Sequence, residues 1–160
     1  MRLIVAAVGR LKDEPEREMS ERYQKRFNGA GRALGLGPVE IIEMVESRAS
    51  SVEARKTDEA QRLLKAASAA TLKIALDEGG RHYASDTFAK LLRKHADSGV
   101  KGCAFLIGGP DGHGQEVLKA ADFKLSLSAM TMPHGLARIV LLEQLYRAAM
   151  ILSGHPYHRA

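Results

Sequence analysis

The sequence predicts a single α/β domain built on a mainly parallel sheet with helices on both faces. Short apolar, β-rich runs alternate with longer helical stretches, which is the pattern of βαβ units. The chain has 160 residues, the length of one ordinary domain, so we treat 1–160 as a single unit. Hydrophobic residues make up 45% and charged residues 27%, a balance that supports a buried core and excludes a disordered chain.

Ten elements are predicted in order, each bounded by a local signal. The first strand ends at Gly9, and four glycines between positions 29 and 37 interrupt the first helix. Ser85 is a candidate N-cap for the third helix, and Gly99 ends it. The predicted strands are residues 2–8, 39–45, 72–76, 103–107 and 123–127. The predicted helices are residues 14–33, 52–70, 85–97, 115–121 and 135–152.

In open parallel sheets, ligands bind beyond the carboxyl ends of the strands. The loops to search for chemistry are therefore those that follow Val8, Leu76, Ile107 and Leu127.

Several classes of protein are excluded by composition. The single Cys103 can form neither an internal disulfide nor a cysteine-based zinc site, and no His, Asp or Glu cluster has convincing metal spacing. The most apolar long stretch, residues 136–152, contains Arg138, Glu143 and Arg147, too many charges for an ordinary membrane span. We therefore expect a cytoplasmic protein with no membrane contact and no metal.

The distribution of charge favours a polyanionic partner. The formal net charge is +5, and residues 81–160 hold 10 Lys and Arg against 6 Asp and Glu, together with all six histidines. Such a basic and titratable half fits phosphate binding, although mild basicity without a partner is an equally good explanation of the charge alone. Aromatic residues are only 5% and tryptophan is absent, which argues against a base-stacking platform of the RRM or OB kind.

Two loops have unusual composition. Residues 108–114, GGPDGHG, contain four glycines, which allow close approach of a ligand to the backbone; an ordinary turn is the alternative. Neither a Walker A loop nor a dinucleotide fingerprint is present there. Residues 125–135, LSLSAMTMPHG, are nearly uncharged, with hydroxyl and thioether side chains that suit a neutral, flat ligand. Together the two loops predict a shared pocket, although methionines that only fill the core remain the alternative.

The last helix and the segment after it carry the remaining candidates. Glu143 and Arg147 lie at i, i+4 in apolar surroundings, where a charged pair has either a structural partner or a functional role. Residues 155–159, HPYHR, join two imidazoles, a phenol and a guanidinium without any acid; a frayed polar terminus is the alternative. Because apolar residues cover most of the last helix, we expect a second subunit against it.

These motifs together resemble those of the RlmH family, small SPOUT-class methyltransferases that act on ribosomal RNA. The matching segments are 3–9 (LIVAAVG), 106–112 (LIGGPDG), 125–134 (LSLSAMTMPH), 143–148 (EQLYRA) and 155–159 (HPYHR). They occur in this order over essentially the whole chain. The resemblance implies a C-terminal trefoil knot, a homodimer and S-adenosylmethionine as the methyl donor. It also implies N3 of a pseudouridine in helix 69 of 23S ribosomal RNA as the acceptor, on the assembled 70S ribosome.

The resemblance also assigns site residues by position. The cofactor pocket comprises Leu76, Gly108, Gly109, Ser128, Ala129, Met130, Thr131, Met132 and Pro133. For catalysis we expect a composite site in which Glu143 and Arg147 meet Tyr157, His158 and Arg159 of the other subunit. Arg159 and Arg138 are expected to hold phosphate or the uracil oxygens. The candidate proton acceptors are His134, His158 and Glu143.

One departure and two other functions stay open. The family carries a lysine-rich loop after the second strand, whereas this chain has VESRASS at 45–51. Arg22, Lys25 and Arg26, on one face of the first helix, are candidates to replace it as an RNA contact; a solvated face is the alternative.

There are two competing functions. One is a non-catalytic module that binds the ribosome or RNA, and the other is a nucleotide-binding regulator. Cofactor binding without turnover favours the module, and preference for a phosphorylated ligand favours the regulator.

Overall fold

A five-stranded sheet with helices on both faces forms the protein in the computed structural model, which describes residues 1–159. The strands are β1 (Arg2–Val8), β2 (Val39–Met44), β3 (Leu72–His82), β4 (Gly102–Ile107) and β5 (Phe123–Ser126). The helices are α1 (Pro15–Gly31), α2 (Val52–Ala66), α3 (Ser85–Asp97), α4 (Gln115–Ala120) and α5 (His134–Leu152). A 3-10 turn, Arg32–Leu34, follows α1.

The strand order is β2-β1-β4-β3-β5, and neighbouring strands in this order are parallel. This confirms the predicted fold class. Side chains of β1 alternate between two cores: Leu3 and Val5 join one core, whereas Ala6 and Val8 join the other. Such period-two burial on both faces is expected for a strand covered by helices on each side.

Each face of the sheet has its own set of helices. Helix α5 packs between α1 and α3 on one face, where Phe27, Phe88 and Leu141 are buried. Helices α2 and α4 pack together on the other face over Leu63 and Val117. Within residues 1–159, no helix is both long enough and apolar enough to cross a membrane.

Strand β3 is where the structure departs most from the prediction. We predicted that β3 ends at Leu76, but the strand continues to His82 after an irregularity. Leu125 of β5 is in register with Leu76 and again with Arg81. Residues 77–80 therefore bulge out of the ladder at the carboxyl edge of the sheet. The predicted N-cap was also wrong: Ala84 is the N-cap of α3, and the Ser85 hydroxyl donates instead to Gln144 Oε1, 2.7 Å away.

Gly80 permits the close approach of β3 to β5. A Cβ at this position would lie 2.7 Å from the backbone carbon of Lys124 and 2.8 Å from its carbonyl oxygen. Since these are backbone atoms, they cannot rotate away. We expect Gly80→Ala to lower the free energy of unfolding in urea by about 1–3 kcal/mol.

Gly29→Ala is the matched control for this prediction, because Gly29 lies in α1 with no atom within 4 Å of the added carbon. There the alanine is expected to be neutral or stabilising by up to about 1 kcal/mol. Equal effects of the two substitutions would show that β3 and β5 do not need this close contact.

Candidate active site

A cleft of about 230 Å³ lies at the carboxyl ends of β3, β4 and β5. Its walls come from Leu76 and the bulge within β3, the glycine-rich loop after β4, and the loop between β5 and α5. Of the nine predicted cofactor residues, seven line it: Leu76, Gly108, Gly109, Ser128, Met130, Thr131 and Met132. Ala129 and Pro133 belong to the same loop but do not line the cleft. The structure thus brings together the two loops that the sequence singled out.

The glycine-rich loop is held from behind by α2. Asp111 pairs with Arg55 at 2.8 Å, and this hydrogen bond from the guanidinium holds the pKa of the Asp111 carboxyl below its usual value. A Cβ on Gly109 would lie 3.0 Å from the side chain of Val8 and 3.1 Å from Glu59 Oε1. The Arg55–Asp111 pair therefore holds the loop on the α2 side, close packing at Gly109 leaves no room for a side chain, and Gly108 and Gly109 line the cleft.

His113 also lines the cleft, in a neutral state. Its Nε2 lies 3.1 Å from the carbonyl oxygen of Leu106, so Nε2 carries the hydrogen of a neutral ring. Burial lowers the pKa of His113, against the opposing effects of the Leu106 carbonyl and Asp77. Among the described residues, Nδ1 has no hydrogen-bond partner, and no group of three or more His, Cys, Asp or Glu residues could hold a metal ion.

The loop between β5 and α5 is folded by its own hydroxyl groups. Ser126 Oγ donates to the carbonyl of Ser128 at 2.9 Å, and the Met130 N–H donates to Ser128 Oγ at 3.0 Å. His134 begins α5 directly after this loop and lines the cleft. The imidazole packs on Gly9, where a Cβ would collide with the ring, so His134 is held at the edge of the cleft.

Arg138 lies elsewhere than the prediction placed it. Its side chain is 1% exposed, and its guanidinium donates to Glu43 Oε2 at 2.6 Å and to the carbonyl of Gly9 at 2.8 Å. Glu43 also accepts hydrogen bonds from Arg17 and from the N–H of Leu11. The prediction that Arg138 holds phosphate or uracil oxygens therefore needs correction, because this guanidinium is buried in an ion pair that joins α5 to β1 and β2.

The Glu43 network predicts a stability that depends on pH. Burial raises the pKa of Glu43, but hydrogen bonds from Arg138, Leu11 and Arg17 outweigh it and hold the pKa below its usual value. A carboxyl with a lowered folded-state pKa stabilises the fold above its unfolded value, about 4.3, and loses this effect as the pH falls through the folded value.

We therefore expect the stability difference between the wild type and Glu43→Gln to be largest at neutral pH and to shrink below about pH 4. Urea unfolding between pH 3 and pH 7 measures this difference, with Glu40→Gln on the same strand as the control for a lost charge. A difference that stays constant over this range would contradict the assignment.

Four of the predicted catalytic residues form one hydrogen-bonded group, which we call the polar cluster: Glu143, Arg147, Tyr157 and His158. Glu143 Oε1 accepts from Arg147 Nη2 at 2.6 Å and from the Tyr157 hydroxyl at 3.0 Å. Arg147 Nη1 lies 3.3 Å from His158 Nδ1 and donates to it when that nitrogen is unprotonated. Arg159, the next residue along the chain, is exposed.

Packing and charge keep Tyr157 and Arg147 of this cluster protonated. The Arg147 guanidinium lies over the Tyr157 ring at 4.9 Å, and Tyr157 packs edge-on against Tyr146 at 4.8 Å. Burial and the hydrogen bond to Glu143 raise the pKa of Tyr157 to about 12, so the phenol stays protonated at neutral pH. The hydrogen bond to Glu143 likewise raises the pKa of Arg147.

The terminal segment contacts α5 of its own chain, and its expected reach into a second subunit stays a prediction. Gly154 adopts φ +72°, and the N–H groups of Gly154 and His155 bond back to the carbonyls of Ile151 and Met150. This glycine cap reverses the chain, because only a left-handed residue ends a helix in this way. Tyr157 and His158 then lie on the last turns of the helix that they follow.

Sequence reasoning missed several residues of the site. Asp77 and Glu78 line the cleft because of the bulge in β3, which was read as a strand end. Gln144 connects Ser85 to the polar cluster, since its Nε2 donates to Glu143 Oε2 at 2.9 Å. Gln144 lies within the EQLYRA motif at 143–148, but only the packing of α3 on α5 shows that Ser85 is its partner.

Comparisons with known proteins agree with this geometry. A model of the family described as predicted SPOUT methyltransferases matches residues 1–158. The ribosomal RNA large subunit methyltransferase H of Brucella anthropi is 48% identical, and that of Sinorhizobium medicae 49%, over 100% of both chains in each case. A solved structure of a probable methylase family protein from Haemophilus influenzae has a TM-score of 0.53 at 12% identity, covering 99% of this chain and 70% of that one. It supports the fold alone.

The fold, the cleft and the family match define a methyltransferase of the SPOUT class. Within that class, the chain belongs to the family of ribosomal RNA large subunit methyltransferase H.

Proposed function

We propose that this chain transfers a methyl group from S-adenosylmethionine to N3 of a pseudouridine in helix 69 of 23S ribosomal RNA, with the assembled 70S ribosome as substrate. The observation that carries the proposal is the cleft, which two separate loops and Leu76 of β3 line with seven residues assigned to the cofactor. The names of the relatives, methyltransferases of large-subunit ribosomal RNA, support this class of acceptor.

The cleft fits the nucleoside part of the cofactor. Its volume lies just below the range of about 300–1,000 Å³ for whole ligand pockets, and Leu76, Ile107 and Met132 offer apolar walls for a flat ring. The glycine loop leaves backbone groups free to bind polar edges, and Ser128 and Thr131 add hydroxyls. When bound, S-adenosylmethionine supplies a methyl group that is bonded to a positively charged sulfur. On transfer of the methyl group, this sulfur leaves as a neutral thioether.

The protein must hold the acceptor nitrogen in line with the methyl group and remove the N3 proton as the new N–C bond forms. Glu143 accepts four hydrogen bonds, so it is suited to hold Arg147, Tyr157 and Gln144 rather than to accept a proton. His134, at the edge of the cleft, and His158 are the proposed proton acceptors. Arg147 and Arg159 are the proposed contacts for phosphate or uracil oxygens.

We propose a homodimer as the working form. Met130 is 78% exposed at the mouth of the cleft, and Leu136 is 46% exposed in the first turn of α5, directly after the loop that lines the cleft. Two large apolar side chains at the rim of a site are the kind of surface that a second subunit covers.

Radiolabelled S-adenosylmethionine tests the proposal directly. The protein is incubated with 70S ribosomes and, separately, with free 23S ribosomal RNA, and the label is located by digestion and mass spectrometry. We expect label at N3 of a pseudouridine in helix 69, from intact ribosomes only. Measured cofactor binding with no label in either sample would overturn the proposal and favour a binding module. Preference for a phosphorylated ligand over S-adenosylmethionine would favour a regulator.

A further inference from the structure

A second cavity adjoins the cleft and has no role in the function proposed above. It has a volume of about 190 Å³ and lies between the start of α3, the middle of α5 and the end of β5. It shares Leu125 and Leu127 with the cleft, so the two spaces adjoin at these residues. Tyr83 and Phe88 give it aromatic walls, and Ser85 and Gln144 give it a polar one.

The orientation of the Gln144 amide follows from its neighbours. The Glu143 carboxylate only accepts hydrogen bonds, so the Gln144 atom 2.9 Å from it must be the donating Nε2. Oε1 then faces Ser85, whose hydroxyl donates to it at 2.7 Å. Each end of the amide keeps one further hydrogen-bonding position, a second N–H on Nε2 and a second lone pair on Oε1. Because Gln144 lines the cavity, its amide can offer a donor and an acceptor to a bound group in this fixed order.

A lactam edge, N–H beside C=O, is the complement of such an amide. Pseudouridine has this edge at N1–H and O2, because its sugar is attached through carbon. Uridine lacks this N1 edge, since its N1 carries the sugar, and has lactam edges only at N3, where pairing would cover the acceptor nitrogen. If Gln144 binds N1–H and O2 of pseudouridine, N3, on the other side of O2, is left free. Enzymes that modify a base commonly turn it out of the stack into a pocket with aromatic or apolar walls.

We propose that this cavity binds the acceptor base and that Gln144, held by Ser85 and Glu143, selects pseudouridine over uridine by pairing with its N1–H and O2. The inference rests on the proposed function, which supplies a pseudouridine as acceptor. The base then lies between the cleft that holds the methyl donor and the polar cluster, because the cavity adjoins the first through Leu125 and Leu127 and the second through Gln144.

Ribosomes that carry either pseudouridine or uridine at the acceptor position test this selection, the latter taken from cells without the pseudouridine-forming enzyme. We expect the wild type to prefer pseudouridine about 10- to 100-fold in kcat/KM, the effect of one unpaired amide edge. Gln144→Met keeps the volume but removes both hydrogen-bonding groups. It should lower kcat/KM for pseudouridine to near that for uridine, with S-adenosylmethionine affinity and thermal unfolding close to wild type.

A merely structural role of Gln144 would lower kcat/KM for both acceptors equally and keep their ratio. That result, or a wild type without preference for pseudouridine, would overturn the inference while the methyltransferase function stands. Ser85→Ala should lower the preference partly, and Gln61→Met, on an exposed position of α2, should leave it unchanged.

A binding measurement separates the inference from the proposed function. With ¹⁵N-labelled full-length protein, pseudouridine 5′-monophosphate should shift the side-chain amide signals of Gln144, and uridine 5′-monophosphate should not. Equal shifts with both nucleotides, or none with either, would overturn the inference even if the ribosome is methylated. Failure of methylation on every ribosome tested would overturn the function first.

Discussion

A chain that ends at Tyr157 is expected to lose methyl transfer by about 10²- to 10⁴-fold while it binds S-adenosylmethionine with unchanged affinity. The truncation removes His158, whose ring nitrogen lies 3.3 Å from Arg147, together with the exposed guanidinium of Arg159. Residues 76–137, which supply the whole lining of the cleft, are untouched. Calorimetric titration with S-adenosylmethionine and single-turnover methylation of ribosomes measure the two effects separately.

Arg32→Ala is the matched control, because it removes one exposed positive charge from the turn after α1. It should leave turnover within about twofold, since a single exposed charge contributes about 1 kcal/mol or less. Full turnover of the truncated chain would refute the role of the terminal segment. Loss of cofactor binding would show instead that this segment and the cleft depend on each other.

Arg138→Met is expected to cost about 3–5 kcal/mol of unfolding free energy, because it leaves the Glu43 carboxylate without its shortest partner. The effect should lie toward the lower end, since Glu43 is 20% exposed and retains Arg17 and the Leu11 N–H. Adding Glu43→Gln to Arg138→Met should recover part of the loss. Urea unfolding of the wild type, both single variants and the double variant at pH 7 provides the four free energies for the cycle.

Arg22→Met is the control for an ordinary ion pair. Arg22 lies 3.4 Å from Glu18, with exposed fractions of 52% and 75%, and such pairs contribute about 0–1 kcal/mol. Arg138→Met could instead lower the free energy of unfolding as little as Arg22→Met does and weaken ribosome binding. That result would contradict the structural role of Arg138 and support the original expectation that it contacts phosphate.

Much of the fold could be predicted from local signals. Strand β1 was predicted with the bounds that it has, and the third helix at 85–97 also matches α3. The runs of apolar residues and the glycines that follow them act within a few residues, so these bounds do not depend on the rest of the chain. The bulge at 77–80 could not be predicted, because it depends on how closely Gly80 approaches the backbone of Lys124.

The candidate site, too, could be predicted only in part. Residue types and the carboxyl-end rule identified both loops of the cleft, since the position of a loop after a parallel strand determines which edge of the sheet it occupies. The roles of individual charged residues could not be assigned from residue type alone. Arg138 and Arg147 stand nine positions apart on one helix, yet Arg138 is buried against Glu43, whereas Arg147 holds Glu143 beside the terminal segment.

The sequence by itself determined the parallel α/β architecture, the two loops of the cleft and the family, because each depends on local pattern or on ordered motifs. The tertiary structure decided which partner each polar side chain has: Glu43 for Arg138, Gln144 for Ser85 and the chain's own α5 for Tyr157. Partners far apart in sequence meet only when helices pack on the sheet, and the hydrogen bonds and burial that fix a side chain's charge and direction arise at that step.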